Sequence, residues 1–218
     1  MKDIPRLRGR KFISQLVTQG EHSTQDFKFA ISDARKIARS ISAFANAEGG
    51  HLLIGVKDNG VVAGVRNEED IFVVEQAASR YCRPEIEVEF TAYSYDTNVV
   101  VIRAAIPRAK SRPVRCQEAD GKWRAYYRVN DENIVAHPLM VRSWTANSSD
   151  FALTTVTARL IGFLESKPTG AEIDEITHSL GISRRTAENL VVQLASAGVV
   201  GFAYYAPRFR IIRLSQEQ

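Results

Sequence analysis

Ser42-Ala43-Phe44-Ala45-Asn46-Ala47-Glu48-Gly49-Gly50-His51-Leu52-Leu53-Ile54-Gly55-Val56-Lys57-Asp58-Asn59-Gly60 is the stretch that decides the fold. Its first half closes a helix. Over residues 32–47, Ala34, Ile37, Ala38, Ile41, Phe44 and Ala45 recur at three- and four-residue steps, which makes one face apolar. Gly49-Gly50 ends that helix, because glycine accepts the left-handed backbone of a C-terminal cap. Residues 51–56 form a short apolar strand. Lys57-Asp58-Asn59-Gly60 carries the Asn-Gly turn of a hairpin and predicts a partner strand over 61–65.

Outward from there, the pattern predicts a helix over 68–82 and strands over 85–95, 98–107 and 123–129. Helices interleaved with hairpins indicate an α+β layer with an antiparallel or mixed sheet, not a doubly wound parallel one. The small, polar run Thr145-Ala146-Asn147-Ser148-Ser149-Asp150 reads as a linker, so the chain divides into a body, 1–145, and a tail, 152–218. In the tail, helices are expected over 153–166, 172–180 and 184–197, the last capped by Ser183 and closed by Gly198. Strands over 199–205 and 209–214 follow, joined around Ala206-Pro207-Arg208. That order is a winged helix-turn-helix. Ile173, Ile176, Leu180, Ile182, Leu190, Val191 and Leu194 would face its core. Arg184, Arg185 and Asn189 would face outward on the third helix, and Arg208, Arg210 and Arg213 lie on or beside the wing, where DNA would be met. The same fold also serves dimerisation, which leaves an interaction module open.

The chain has 218 residues, 44% hydrophobic and 25% charged, the composition of a globular protein. Its apolar runs are far shorter than the roughly 18 residues that span a bilayer, and its start is polar and basic with no leader-like apolar core. A cytoplasmic protein without membrane contact is therefore expected. Cys82 and Cys116 have no metal-ligand spacing, and His22, His51, His137 and His178 are scattered and read as core or surface histidines. Residues 1–12 carry a net charge of +4, equal to that of the whole chain. Residues 103–128 hold eight basic groups against Glu118 and Asp120. Alternation along the strands should gather Arg103, Arg108, Lys110, Arg112, Arg115, Arg124 and Arg128 on one face around the loop 107–113, a face for an anionic partner, nucleic acid first.

The residues Glu21-His22-Ser23-Thr24-Gln25-Asp26-Phe27-Lys28, together with the stretch quoted above, resemble the Schlafen/AlbA-type DNA-binding domain, also called the divergent AAA family. Its pattern is an acid, a short gap, acid-Phe-Lys, then AFAN-x-x-GG-x-L-x-I-G-V-x-D-x-G. Tyr126-Tyr127-Arg128-Val129-Asn130 is similar to its later Y-x-R strand, so the resemblance covers residues 21–134. It implies a bacterial-type nucleic-acid-binding or regulatory domain, with Lys28 against phosphate. From the ribonuclease-active branch it implies an acidic triad: Glu21, Asp26 and Asp58 as catalytic residues, with Glu21 and Asp26 holding Mg²⁺ or Mn²⁺. Asp26 stands where the family usually has Glu, one methylene longer. No phosphate-cradling G-x-x-x-x-G-K-[ST] is present, so ATP is not expected.

These readings combine into a DNA-binding transcriptional regulator that uses the winged helix and the basic body, with DNA favoured, RNA possible and a homodimer possible. Its nucleic-acid contacts would be Lys28, Arg108, Lys110, Arg112, Arg115, Arg128, Arg184, Arg185, Asn189, Arg208 and Arg210. No cofactor is expected unless the alternative holds, a metal-dependent endoribonuclease. A scaffold dimerising through the tail is the other alternative.

Overall fold

Two elements that the sequence pattern does not announce open the chain, β1 (Arg6–Arg8) and α1 (Arg10–Gln19). The structure, a computed structural model, describes residues 4–66, 69–146 and 154–215. It divides into two units, Met1–Ala136 and His137–Gln218. In the first unit, β2 (Gln25–Lys28), α2 (Ala34–Asn46), β3 (Gly50–Ile54), α3 (Glu69–Arg80) and β4 (Cys82–Arg83) follow in order. After them come β5 (Glu89–Asp96), β6 (Val99–Ile106), β7 (Arg115–Gln117), β8 (Trp123–Val129) and β9 (Glu132–Val135). One sheet is mixed and five-stranded in the order β1-β5-β6-β3-β2, and the other is antiparallel, β4-β7-β8-β9. The α+β class is thus the observed one.

The helix α2 runs between the sheets, and every residue from 40 to 46 is buried. It starts where it does because the Asp33 carboxylate accepts the Arg35 and Lys36 N–H groups, at 2.9 and 3.3 Å. It ends at Asn46 with Ala47 as its cap, and two residues on the chain turns at Gly49, where φ is +79° and an added Cβ would lie 2.8 Å from Arg108 N and 2.9 Å from Ile106 O. Its apolar side joins Leu52, Ile54, Phe90, Ile102 and Ala104 of the five-stranded sheet in the main core. A polar seam holds its other side to the four-stranded sheet. The Asn46 amide donates to Val114 O and Tyr126 O and accepts from Val114 N–H, each at 2.8 Å. The Ser42 hydroxyl donates to Val114 O and accepts the Tyr126 N–H.

Three expectations change. Residues 61–65 form no strand; Val62 makes only an isolated bridge to Val56. Both edges of β3 are already taken, one by β2 in parallel and one by β6 antiparallel, so a hairpin partner has nowhere to pair. The strand expected over 85–95 begins only at Glu89. The body also ends earlier than 145. The helix α4 (Pro138–Ser143) belongs to the second unit, where Leu139 joins the core and the His137 ring stacks on Phe202 at 5.5 Å. Of the expected linker, residues 147–150 lie outside the described residues, as do residues 151–153 at the start of the expected tail.

The second unit continues with α5 (Thr155–Glu165), α6 (Ile173–Leu180), α7 (Arg184–Ser196) and the antiparallel hairpin β10 (Val200–Tyr205) and β11 (Arg208–Arg213). Gly181 caps α6 at φ +66°, and Ser183 caps α7 by accepting the Thr186 N–H at 3.1 Å. Ile176, Leu180, Val191 and Leu194 are buried as their spacing requires.

Candidate nucleic-acid interface

The acidic residues of the family pattern do not converge as three. Glu21 precedes β2, and its Oε1 accepts the Phe27 N–H at 2.8 Å. Burial pushes the Glu21 carboxyl up, and the neighbouring Asp26 adds to this, while the Phe27 N–H and Lys28 oppose it. Asp26 is buried and clamped by cations: Arg128 Nη2 donates to Oδ1 at 3.2 Å, and Lys28 Nζ lies 2.6 Å from Oδ2. Asp58 stands exposed in the turn after β3. Among the described residues no three His, Cys, Asp or Glu side chains come together as a metal site. A divalent ion needs free carboxylate oxygens, and here those of Asp26 already face two positive groups. Glu21, Asp26 and Asp58, so arranged, do not fit Mg²⁺ or Mn²⁺.

Arg128 corrects another expectation, because it is a buried tie and not a surface cation. Its side chain is 1% exposed. It donates to His22 O, Gln25 O, Asp26 Oδ1 and Asn133 Oδ1, and it lies 4.8 Å over the Phe44 ring. A buried guanidinium must satisfy its donors inside the protein, and these acceptors do so. Lys28 is likewise drawn to Asp26, and Arg112 donates to Asn46 O at the C-terminus of α2 at 3.1 Å.

Of the face expected around residues 107–113, Arg103 lies instead on β6 of the five-stranded sheet and Arg124 pairs with Asp120 at 2.8 Å, while Arg115 stands with Arg83 on the outer face of the four-stranded sheet. Cys82 and Cys116 are register partners and fully buried, so their neighbours Arg83 and Arg115, paired in the next register, point outward. Like charges placed directly opposite are unfavourable in a sheet. Among the described residues neither arginine makes an ion pair. Arg83 lies 5.5 Å over the Trp123 ring, which is 38% exposed on the same face. Tyr127 shares this side of β8; burial and the charge of Glu48 push its phenol up, and Arg112 and Arg108 oppose this. Lys110 is exposed in the loop between them, while Arg108 makes only a 3.5 Å pair with Glu48. Neither Arg83 nor Trp123 is singled out by the sequence, since only the register Arg83↔Arg115 and Gln117↔Trp123 unites them.

In the second unit the expected contact residues are held by neighbours. Arg184 pairs with Asp174 at 2.5 Å and with Glu188 at 3.1 Å; Arg208 pairs with Glu172 and Arg210 with Glu175. Asn189 accepts from Arg142 at 2.8 Å. Arg185 is exposed without an ion pair among the described residues. Most of these side chains are exposed, Arg210 and Glu188 being half-buried, so each pair is worth roughly 0–1 kcal/mol and can be exchanged for another anion.

Residues 21–137 match the family described as Schlafen, AlbA_2. No curated protein matches the chain. Among solved structures, the DIP2311 protein from Corynebacterium diphtheriae is similar over 66% of this chain and 30% of its own length, at 16% identity and a TM-score of 0.42. This chain thus spans less than a third of that protein. The N-terminal domain of an ATP-dependent DNA helicase RecG-related protein from Nitrosomonas europaea is similar over 61% of this chain and 97% of its own, at 18% identity and a TM-score of 0.41. Among the described residues, no helix is long and apolar enough to cross a membrane.

Proposed function

Because this chain belongs to the Schlafen, AlbA_2 family, we propose that it is a nucleic-acid-binding protein that takes DNA on the outer face of its four-stranded sheet and acts in transcription regulation. The observation that carries the reading is the register pair Arg83–Arg115 beside the exposed Trp123. Arg83, whose Nη1 donates to Ser79 O and Cys82 O, and its register partner Arg115 have no carboxylate among the described residues, so a phosphate supplies the counter-charge they lack, and an indole offers a surface for a base. Arg108 and Lys110 extend the positive strip. The second unit has the helix and hairpin order of a winged helix and adds Arg185, with Arg184, Arg208 and Arg210 released from their exposed pairs by DNA.

Binding of one sequence as duplex and as single strand, followed by fluorescence anisotropy across a salt series, tests this reading. Arg83→Ala with Arg115→Ala should weaken duplex binding and flatten the slope of log affinity against log salt by about 0.9 for each lost phosphate contact. Trp123→Ala should weaken the single strand by about 1–3 kcal/mol, the worth of one stacked base. Unchanged affinity and slope in both variants would refute the interface. Cleavage of a structured RNA that requires added Mg²⁺ and is lost in Glu21→Ala would replace it with the endoribonuclease reading.

A further inference from the structure

A second polar site lies on the other sheet, on the side away from α2. There α1 covers only part of the five-stranded sheet: Ile13, with Leu16 and Val17, packs on Phe27, Leu53, Val56 and Val101. Beyond that cover the same face of β3, β6 and β5 turns polar, with His51 and Arg103 diagonal across the β3–β6 pair. These residues line a cleft of about 310 Å³ together with Glu48, Glu89, Ala105 and Arg108. That volume sits at the small end of ligand pockets, roughly 300–1,000 Å³.

Arg103 is the unusual member. Its Nε is out of contact with solvent and has no hydrogen-bond partner. Among the described residues its guanidinium makes no ion pair, in contrast to the arginines of the second unit that face Asp174, Glu172 and Glu175. Its charge reaches His51, which burial and that charge together hold down to about 4. The ring orientation of His51 is set from behind. Gln25 Nε2 donates to Leu16 O and Gly20 O, so its Oε1 faces His51 Nε2 at 2.8 Å as acceptor, and Nε2 carries the proton. His51 is therefore a neutral neighbour that neither offsets nor adds to the Arg103 charge. Of the two carboxylates at the cleft, Glu48 is engaged by Arg108 and Glu89 stands exposed at the rim.

We propose that this cleft binds a phosphate group, gripped by the Arg103 guanidinium with Arg108 at the rim. An arginine fork matches two phosphate oxygens, and its Nε–H is the donor left unused. The phosphate can be free or part of a nucleic-acid backbone, and only the second source rests on the function proposed above.

The test is a titration of the full chain with inorganic phosphate, read on the Arg103 Nε–H and His51 ring signals by NMR, with chloride at equal ionic strength as control. Saturable shifts of both signals are expected in the wild type, a loss of affinity of tenfold or more in Arg103→Gln, and partial retention in Arg103→Lys, which keeps the charge and loses the fork. Unmoved signals in the wild type, or equal phosphate affinity in a folded Arg103→Gln, would overturn the site. The dinucleotide pdTpdT then separates the sources. Its displacing phosphate from Arg103 supports the site as part of the DNA interface. Phosphate binding without dinucleotide or DNA binding supports the site and removes the DNA reading. DNA binding that leaves both signals still, in a chain indifferent to phosphate, removes the site alone.

Discussion

Asp26 and Arg128 show how the same two residue types can mean surface chemistry or buried structure. In the sequence the pair is an acid of the family pattern and a cation of a basic strand; in the fold each satisfies the other, with side chains 7% and 1% exposed. Removing one member of a buried pair strands the other. Arg128→Met should therefore cost about 3–5 kcal/mol in urea unfolding while leaving the DNA affinity of the folded fraction unchanged. A loss of affinity without a loss of stability would put Arg128 back at the interface. His51 sets a second residue-scale expectation. Folded, it stays neutral down to about 4; unfolded, it takes a proton at 6.5. Between these values the unfolded chain holds more protons, so the contribution of His51 is complete above 6.5 and is lost as pH falls through about 4. The His51 ring should titrate near 4 by NMR, and His51→Gln should lose less stability than the wild type between pH 7 and pH 5.

At the scale of elements, α2 is the part on which both sheets of the first unit depend. Its period is visible because the residues repeat along one chain, and its start follows from Asp33. Its second buried side is not visible as an apolar stripe, because that side is built from Ser42 and Asn46 bonded to β8 and to Val114 before β7. Asn46 lies in the family stretch, and its amide serves backbone groups of two other segments. Asn46→Ala should take the side-chain partner from the buried Val114 N–H and the Tyr126 carbonyl, while Ser42 still holds Val114 O, and cost about 3 kcal/mol, read as a lower urea midpoint. Stability within about 0.5 kcal/mol of the wild type would show that water replaces the seam.

For the whole molecule, charge is arranged differently in the two units. The first exposes Arg83, Lys110 and Arg115 without carboxylate partners among the described residues, whereas the second sets Glu172, Asp174 and Glu175 against its own arginines. If the second unit meets DNA as proposed, these carboxylates compete with phosphate. Replacing Glu172, Asp174 and Glu175 by their amides should then raise duplex affinity by roughly tenfold, since each exposed pair is worth about 0–1 kcal/mol. No gain, in a protein whose first unit still binds, would assign the helix and hairpin unit to protein contact.

What the sequence determined by itself is local: the helix period of α2, the cap at Ser183, the turn between β5 and β6, and the helix and hairpin order after residue 154. Each depends on residues within a few positions of one another, where steric limits and side-chain hydrogen bonds act without help. The family stretch belongs to this class too, because its glycines and its spacing are read along the chain. Only the tertiary structure decided that β6 and β2 occupy both edges of β3, that α4 joins the second unit, that Arg128 turns inward to Asp26, and that Arg83 meets Arg115 beside Trp123. These are contacts between segments separated by tens of residues. Their outcome depends on which edge or face is still free when the sheets close over α2, and no local pattern carries that information.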